Sequence, residues 1–198
     1  MERELIEDKA RIIVDTTFLK DGVIDKLKAL EKFDKATFIH SINVAYICVQ
    51  IALLQGLDNS LVNDIALGGV LHDIGKMRIP ANILFKKGVL TADEFKIVKT
   101  HPERGLKECR DLEISDTVKD MILYHHERVD GSGYPKGLKK SEVSLPVRII
   151  STVDSYDAMT SKRVYKKAYS SINSLRLLDV DEGHSKVILE LLDKCEAI

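Results

Sequence analysis

The sequence predicts an all-α fold, and three observations support this class. Apolar residues recur at helical spacing along most of the chain, only 6% of the residues are aromatic, and turn-forming residues are concentrated in one long segment. The chain of 198 residues is long enough for one domain with a buried core. We therefore expect a single helical domain preceded by a short extension.

The N-terminal region is predicted to contain one or two amphipathic helices. Apolar residues recur at helical spacing over residues 5–19 and 23–30, with Asp21 and Gly22 between them. We assign residues 1–33 to an N-terminal helical extension and residues 34–198 to the main domain. The extension either packs on the domain or forms a homodimer, and the pattern leaves both open.

Caps, glycines and prolines predict the later helices. Gly56 is a natural left-handed end for the apolar helix before it. Thr91 and Glu94 form a capping box that opens another helix. Pro102 should break or kink that helix because proline has no amide hydrogen to donate. The predicted helices cover residues 36–55, 60–72, 115–126 and 146–161, with two more beginning near residues 171 and 183.

Composition excludes several classes of protein. Thirty basic and 31 acidic residues give a net charge of -1, so the chain lacks the basic surface expected for binding long nucleic acid or an anionic membrane. No apolar stretch reaches the roughly 20 residues of a membrane span without polar interruptions, so no membrane insertion is expected. Three dispersed cysteines without a CxxC pair favour a reducing, cytoplasmic location.

The histidines suggest a metal centre. Five of the six, His40, His72, His101, His125 and His126, lie on or next to predicted helices. Asp73 directly follows His72, and imidazole with carboxylate suits first-row transition metals. Taken singly, each histidine could equally be a hydrogen-bonded core or surface residue. Because neighbours on a helix project about 100° apart, one of the pair at 125–126 should face the core and the other its edge.

Four motifs occur together between residues 72 and 166, and their combination is specific enough to indicate a protein family. They are His-Asp-Ile-Gly-Lys at 72–76, Thr-His-Pro-Glu-Arg-Gly at 100–105, His-His-Glu-Arg-Val-Asp-Gly-Ser-Gly-Tyr-Pro at 125–135, and Val-Asp-Ser-Tyr-Asp-Ala-Met-Thr-Ser-Lys-Arg-Val-Tyr-Lys at 153–166. In these motifs the chain resembles the HD-GYP phosphodiesterases of the HD superfamily of metal-dependent phosphohydrolases. The resemblance spans residues 36–168, and Val164 stands where the family often has proline.

The resemblance implies an HD-domain helical bundle with a two-metal centre and a Gly-rich loop, the GYP loop, at residues 127–145. It implies that one ion is held by His40, His72, Asp73 and Asp154, and the other by Asp73, His101, His125 and His126, with Asp73 as the bridge. A carboxylate can span two cations because it has two oxygens, whereas a neutral imidazole offers one lone pair. Fe or Mn are the expected ions, with Ni and Zn as alternatives.

The implied substrate is cyclic di-GMP, hydrolysed to linear pGpG or onward to GMP. Asp73 and Lys76 are the expected catalytic residues, and Lys76, Arg163 and Lys166 match positions that contact substrate phosphates. Tyr134 would line the pocket, or it merely packs. Without the motif, Arg163 and Lys166 would be interpreted as a solvated basic surface. Asp130 and Asp157 are expected to be structural or to orient ligands.

The same residues also allow other interpretations. A nucleotidase of the wider superfamily would need only His40, His72, Asp73 and Asp154, and an inactive HD-GYP module would bind a nucleotide or a protein. An upstream regulatory domain or a signalling partner is a further expectation. Some relatives bind a third ion through a Glu four residues before the first histidine ligand. Ala36 occupies that position here, so we expect two ions and a linear product.

Overall fold

The computed structural model describes residues 2–161, 169–180 and 183–196. Within these ranges the ordered elements are α-helices and one 3-10 turn, with a single isolated bridge between Asp130 and Lys139 and no strand. The all-α prediction is confirmed. The elements are α1 (Glu2–Thr17), α2 (Val23–Phe33), α3 (Lys35–Leu54), α4 (Asn59–Leu71), the 3-10 turn (Ile74–Arg78), α5 (Ala81–Leu84), α6 (Ala92–Val98), α7 (His101–Glu108), α8 (Asp116–Tyr124), α9 (Leu145–Thr160), α10 (Ser171–Val180) and α11 (Lys186–Glu196).

The helix ends follow the local signals in the sequence. Gly56 adopts the expected left-handed conformation with φ of 66°. Thr91 and Glu94 make both hydrogen bonds of the capping box that opens α6. The predicted break lies before Pro102, since α6 ends at Val98. Pro102 lies in the first turn of α7, where no amide hydrogen is needed.

Helix α3 is the centre of the bundle. It packs against α1, α2, α4, α9 and α11. Its length and mean hydropathy of 1.7 would also suit a membrane span, but half of its most apolar window is buried inside the protein. Val44, Cys48 and Ile51 are completely buried, and the same helix carries the buried His40. Its apolar character is therefore explained by core packing.

The N-terminal helices share this core. Ala10 and Val14 of α1, and Leu27 and Leu30 of α2, are buried in one hydrophobic cluster with side chains of α3 and α4. The apolar spacing in residues 1–33 thus supports packing onto the domain. A homodimer through this extension and a domain boundary after residue 33 stay predictions.

Candidate metal centre

Seven predicted ligands from separate parts of the chain converge on one site. His72 and Asp73 directly follow α4, and His125 and His126 directly follow α8. The carboxyl ends of both helices therefore face the site, and their partial negative charge favours cations. The remaining ligands are His40 in α3, His101 at the start of α7 and Asp154 in α9. Except for His126, all these side chains are buried.

A first group of ligand atoms is formed by His40, His72 and Asp73. One atom of each lies within 4.8 Å of the others. Asp154 adjoins this group, since its Oδ1 lies 2.9 Å from Nε2 of His40 and 3.9 Å from Nε2 of His72. These four residues form the first ligand set that the resemblance implies.

A second group consists of His101, His125 and His126, whose ligand atoms also lie within 4.8 Å of one another. The Nε2 atoms of His101 and His125 are 3.0 Å apart. As expected for neighbours on a helix, His125 is buried, whereas the side chain of His126 is 26% exposed. The second group thus borders the accessible side of the site.

Asp73 lies between the two groups. Its Oδ2 is 3.4 Å from Nε2 of His72 and 3.7 Å from Nε2 of His40. Its Oδ1 is 3.4 Å from Nε2 of His101 and 3.9 Å from Nε2 of His125. Each oxygen therefore faces one group of imidazoles, which is the arrangement required of a carboxylate that bridges two cations.

Backbone hydrogen bonds fix the tautomers of three imidazoles. In His72, His101 and His125, Nδ1 donates to the carbonyl oxygen three residues upstream, at 2.7, 2.8 and 2.9 Å. A carbonyl can only accept, so Nδ1 carries the hydrogen and Nε2 presents a lone pair to the site. Metal-binding histidines are commonly oriented in this way.

His40 is oriented by a carboxylate instead. Its Nδ1 lies 2.6 Å from Oδ2 of Asp157, which also accepts a hydrogen bond from the hydroxyl of Ser161. Burial by itself would lower the pKa of His40, but its hydrogen bonds with Asp154 and Asp157 raise the pKa to about 9 in the metal-free protein. Asp157 therefore has the ligand-orienting contact expected from the sequence.

The donor set fits divalent metal ions. Nε2 of His72 and Oδ1 of Asp73 are buried, and neither makes a hydrogen bond with any residue that the structure describes. Burial lowers the pKa of His101 to about 3 and that of His125 well below its ordinary value, so neither imidazole takes up a proton at neutral pH. Buried lone pairs without a hydrogen-bond partner are costly, and a bound cation would compensate their desolvation.

Lys76 contacts the bridging carboxylate. Its Nζ lies 2.5 Å from Oδ2 of Asp73, and a fifth of its side chain remains exposed. Burial would raise the pKa of Asp73, but the positive charge of Lys76 and the contact with His72 hold that pKa well below its usual range. Asp73 is therefore ionised and available as a ligand.

Gly75 allows the turn that carries Asp73 and Lys76 to pack directly on α7. A Cβ at this position would lie 2.0 Å from the carbonyl oxygen of His101 and 2.3 Å from the backbone nitrogen of Gly105. Because both obstacles are backbone atoms, a larger residue would push the turn away from α7. The glycine thereby keeps ligands of the two groups in register.

The GYP loop closes over the second group. The ring of Tyr134 stacks on His126 with centroids 4.6 Å apart and planes 27° apart. The backbone N–H of Tyr134 donates to the carbonyl oxygen of His126 at 3.1 Å. A Cβ on Gly133 would lie 2.5 Å from backbone atoms of residues 126–128. Tyr134 thus lines the edge of the centre.

Glu127, which directly follows the histidine pair, was not among the predicted site residues. It is completely buried, and its carboxylate accepts the backbone N–H groups of Lys136, Gly137 and Leu138 at 2.6, 3.1 and 2.8 Å. Its own carbonyl accepts a hydrogen bond from Ser151 of α9 at 2.8 Å. Glu127 therefore holds the GYP loop in place. The available signal was an acidic residue directly between a histidine pair and a Gly-rich segment.

Three other residues singled out from the sequence lie outside the two groups of ligands or outside the described residues. Arg163 and Lys166 lie in residues 162–168, outside the described residues. The carboxylate of Asp130 accepts hydrogen bonds from the backbone N–H and hydroxyl of Ser132, which stabilises a turn in the loop.

Comparison with known proteins identifies the family. A model described as HD domain matches residues 4–187. The chain belongs to the HD domain family. A cyclic di-GMP phosphodiesterase of Pseudomonas aeruginosa is 42% identical over 161 residues, covering 80% of this chain and 38% of that protein. A cyclic di-GMP phosphodiesterase of Thermotoga maritima is 38% identical over 162 residues, covering 77% of this chain and 44% of that protein.

A third relative of this HD-domain chain is named for a different substrate. A 3'3'-cGAMP-specific phosphodiesterase of Vibrio cholerae is 37% identical over 134 residues, covering 68% of this chain and 31% of that protein. The chain thus spans less than half the length of these relatives. An HDG"Y"P protein from Bdellovibrio bacteriovorus shares the fold with a TM-score of 0.71 at 20% identity, covering 99% of this chain and 64% of that one.

Proposed function

We propose that this HD-domain protein is a metal-dependent phosphodiesterase that hydrolyses cyclic di-GMP to linear pGpG. The observation that carries the proposal is the position of Asp73, whose two oxygens face separate groups of imidazoles. Relatives named as cyclic di-GMP phosphodiesterases, at 42% and 38% identity, support the choice of substrate. The 3'3'-cGAMP-specific relative makes that hybrid dinucleotide the second candidate substrate.

The ligands divide into two sets that share one residue. A pair of divalent ions, when bound, lowers the pKa of water and polarises a phosphoryl oxygen. His40, His72, Asp73 and Asp154 would hold one ion, and Asp73, His101, His125 and His126 the other. The fixed Nδ1 hydrogens keep the Nε2 lone pairs directed inward, so the imidazoles need no rearrangement to bind. Fe or Mn are the ions that we propose.

The remaining residues bind the substrate. Lys76 combines a contact to Asp73 with partial exposure, so its ammonium can also reach a phosphate oxygen beside that carboxylate. Tyr134 lines the entrance through its stacking on His126. Arg163 and Lys166 are proposed to contact phosphate because of their place in the closing motif and the chemistry of their side chains.

The cellular setting is part of the proposal. Cys48 and Cys109 are buried free thiols. Free cysteines are typical of proteins in a reducing compartment. We place the activity in the cytoplasm, where the regulatory input would come from an additional domain or a separate signalling partner.

An anaerobic assay tests the function. Protein loaded with Fe(II) or Mn(II) is incubated with cyclic di-GMP, and the products are separated by chromatography. We expect pGpG to accumulate. Asp73→Asn should lose turnover and both ions, measured by elemental analysis, whereas the exposed Asp116→Asn should lose neither. Absence of turnover by the loaded wild-type protein, or two tightly bound ions in Asp73→Asn, would contradict the proposal.

A further inference from the structure

The ammonium group of Lys99 lies between two aromatic rings. Its Nζ is 4.9 Å from the ring centroid of Phe95 and 4.9 Å from that of Tyr134. Lys99 caps the carboxyl end of α6 four residues after Phe95, so the two side chains share one face of the helix. Tyr134 belongs to the GYP loop. The rings therefore fix the position of a cation where α6 meets this loop.

Lys99 differs from neighbouring lysines in having no acidic partner. Within the described part of the chain, no carboxylate lies within 4.0 Å of its ammonium. Lys96, on the same helix, pairs with Asp93 at 2.9 Å, and Lys86 pairs with Glu94 at 2.6 Å. Lys99 is also partly buried. An ordered cation without a counter-charge is suited to binding an anion.

The position of Lys99 connects it with the metal centre. Tyr134, which contacts Lys99, also stacks on His126. Burial raises the pKa of the Tyr134 phenol, and the carboxylates of Asp154 and Asp73 contribute to this shift. The tyrosine ring thus extends from the centre to Lys99, and the cation lies one aromatic ring away from a proposed ligand.

A cyclic dinucleotide has a second anionic group that such a site could bind. Its ring contains two phosphodiester groups, and only one of them can react at the metal centre in a given turnover. The other remains charged, and the base on the adjoining ribose has a face that can stack on an aromatic ring. Phe95 is 46% exposed and presents an apolar ring beside Lys99.

We propose that Lys99 binds the non-reacting phosphate of the cyclic dinucleotide and that Phe95 stacks on the adjoining base. This subsite rests on the proposed function. Because Lys99 stands outside the ligand set, its contact should be equally strong in the ground state and in the transition state. Its loss should therefore raise KM and leave kcat nearly unchanged.

A comparison of two substrates distinguishes an effect on the subsite from an effect on the metal centre. Cyclic di-GMP has two phosphates, whereas bis(p-nitrophenyl) phosphate has only one and cannot occupy both sites. Lys99→Gln should raise KM for cyclic di-GMP by roughly tenfold to a hundredfold, as expected for loss of a charge-assisted contact. Turnover of bis(p-nitrophenyl) phosphate and metal content should not change. Phe95→Leu should raise KM for cyclic di-GMP in the same selective way.

The controls lie on the same helix. Lys99→Arg should retain most of the affinity because it keeps the charge, and Lys96→Gln should have no effect because that lysine is exposed and already paired with Asp93. The increase in KM should shrink as salt rises, since salt screens the contact in the wild-type protein.

The outcomes distinguish two failures. If the wild-type protein hydrolyses both substrates and Lys99→Gln leaves KM for cyclic di-GMP unchanged, the subsite is wrong and the proposed function stands. Equal losses on both substrates in Lys99→Gln would also overturn the subsite, because they indicate damage to the metal centre. If the wild-type protein hydrolyses only bis(p-nitrophenyl) phosphate, the proposed function fails and the subsite with it.

Discussion

The Nε2 atoms of His101 and His125 lie 3.0 Å apart, although the hydrogen of each ring is already donated from Nδ1 to a backbone carbonyl. Two lone pairs at this distance repel each other and cannot form a hydrogen bond. A cation bound by both nitrogens would replace this repulsion with attraction. The fold thus holds both nitrogens at a spacing that a shared cation would stabilise.

The metal-free protein should become less stable as the pH falls. Burial lowers the pKa of His101 to about 3 and that of His126 to about 4, whereas histidine in the unfolded chain takes up its proton near pH 6.5. The unfolded state therefore binds more protons at pH 5. The free energy of unfolding should fall between pH 7 and pH 5 by up to about 2 kcal/mol for each such histidine.

Urea denaturation of chelator-treated protein at the two pH values measures this effect. His101→Gln should show a smaller pH dependence than the wild-type protein, because the variant removes one of the histidines that resist protonation. His40 acts in the opposite direction. Its raised pKa contributes stability that is fully present below pH 6.5 and is lost as the pH rises through about 9. Identical pH dependence in the wild type and His101→Gln would contradict the prediction.

Asp157→Asn should weaken the binding of one ion. The substitution keeps the size of the side chain but removes the charge that supports His40 at 2.6 Å. Loss of such a supporting carboxylate typically reduces metal affinity about tenfold to a hundredfold. Competition with a chromophoric chelator should show one weakened equivalent and one unchanged. Ser161→Ala, which removes the other hydrogen bond to the same carboxylate, is the control and should retain both affinities.

Glu127→Gln should loosen the GYP loop without removing the metal ions. The amide group of glutamine cannot accept all three backbone hydrogen bonds that the buried carboxylate accepts now, and each unsatisfied group costs about 1–3 kcal/mol. We expect a lower melting temperature and a higher KM for cyclic di-GMP, with normal metal content. Glu142→Gln is the matched control, since Glu142 is exposed and accepts one backbone N–H in the same loop. Equal behaviour of the two variants would contradict the role of Glu127.

The wild-type protein should bind two ions and stop mainly at the linear dinucleotide. Ala36 is exposed in the first turn of α3, four residues before His40, and has no ligand atom. Its neighbour Asp34 is committed to capping α3 through the backbone N–H groups of Ala36 and Thr37. Elemental analysis and product chromatography check both statements. Ala36→Glu should add a third ion and increase GMP formation, whereas Lys35→Glu, one position away on the helix, should do neither.

The histidines of the site could be predicted from the sequence, whereas the separate roles of its carboxylates could not be predicted from periodicity. His40, His72, His101, His125 and His126 could be selected because they stand beside helix ends and motifs. The division of labour between Asp154 and Asp157 was expected only because of the family resemblance. They lie three residues apart on one helix and share a face, so periodicity alone does not determine which of them faces the metals and which supports His40.

The contact between Lys99 and Tyr134 could not be predicted from the sequence. The sequence places it two residues before His101, but its contact with Tyr134 depends on the path of the GYP loop. That path in turn depends on the buried carboxylate of Glu127. Helical spacing determines contacts within one helix, and it carries no information on where a loop between α8 and α9 returns to the surface.

Three of the four oriented imidazoles use main-chain carbonyls as acceptors, and only His40 relies on a side chain. A point mutation cannot delete a carbonyl, so the orientation of His72, His101 and His125 is protected against substitution at the accepting positions. Among these four imidazoles, His40 is therefore the one whose hydrogen-bond acceptor a single substitution can replace. Position 157 is where natural diversity or protein engineering can tune metal preference while the rest of the centre stays the same.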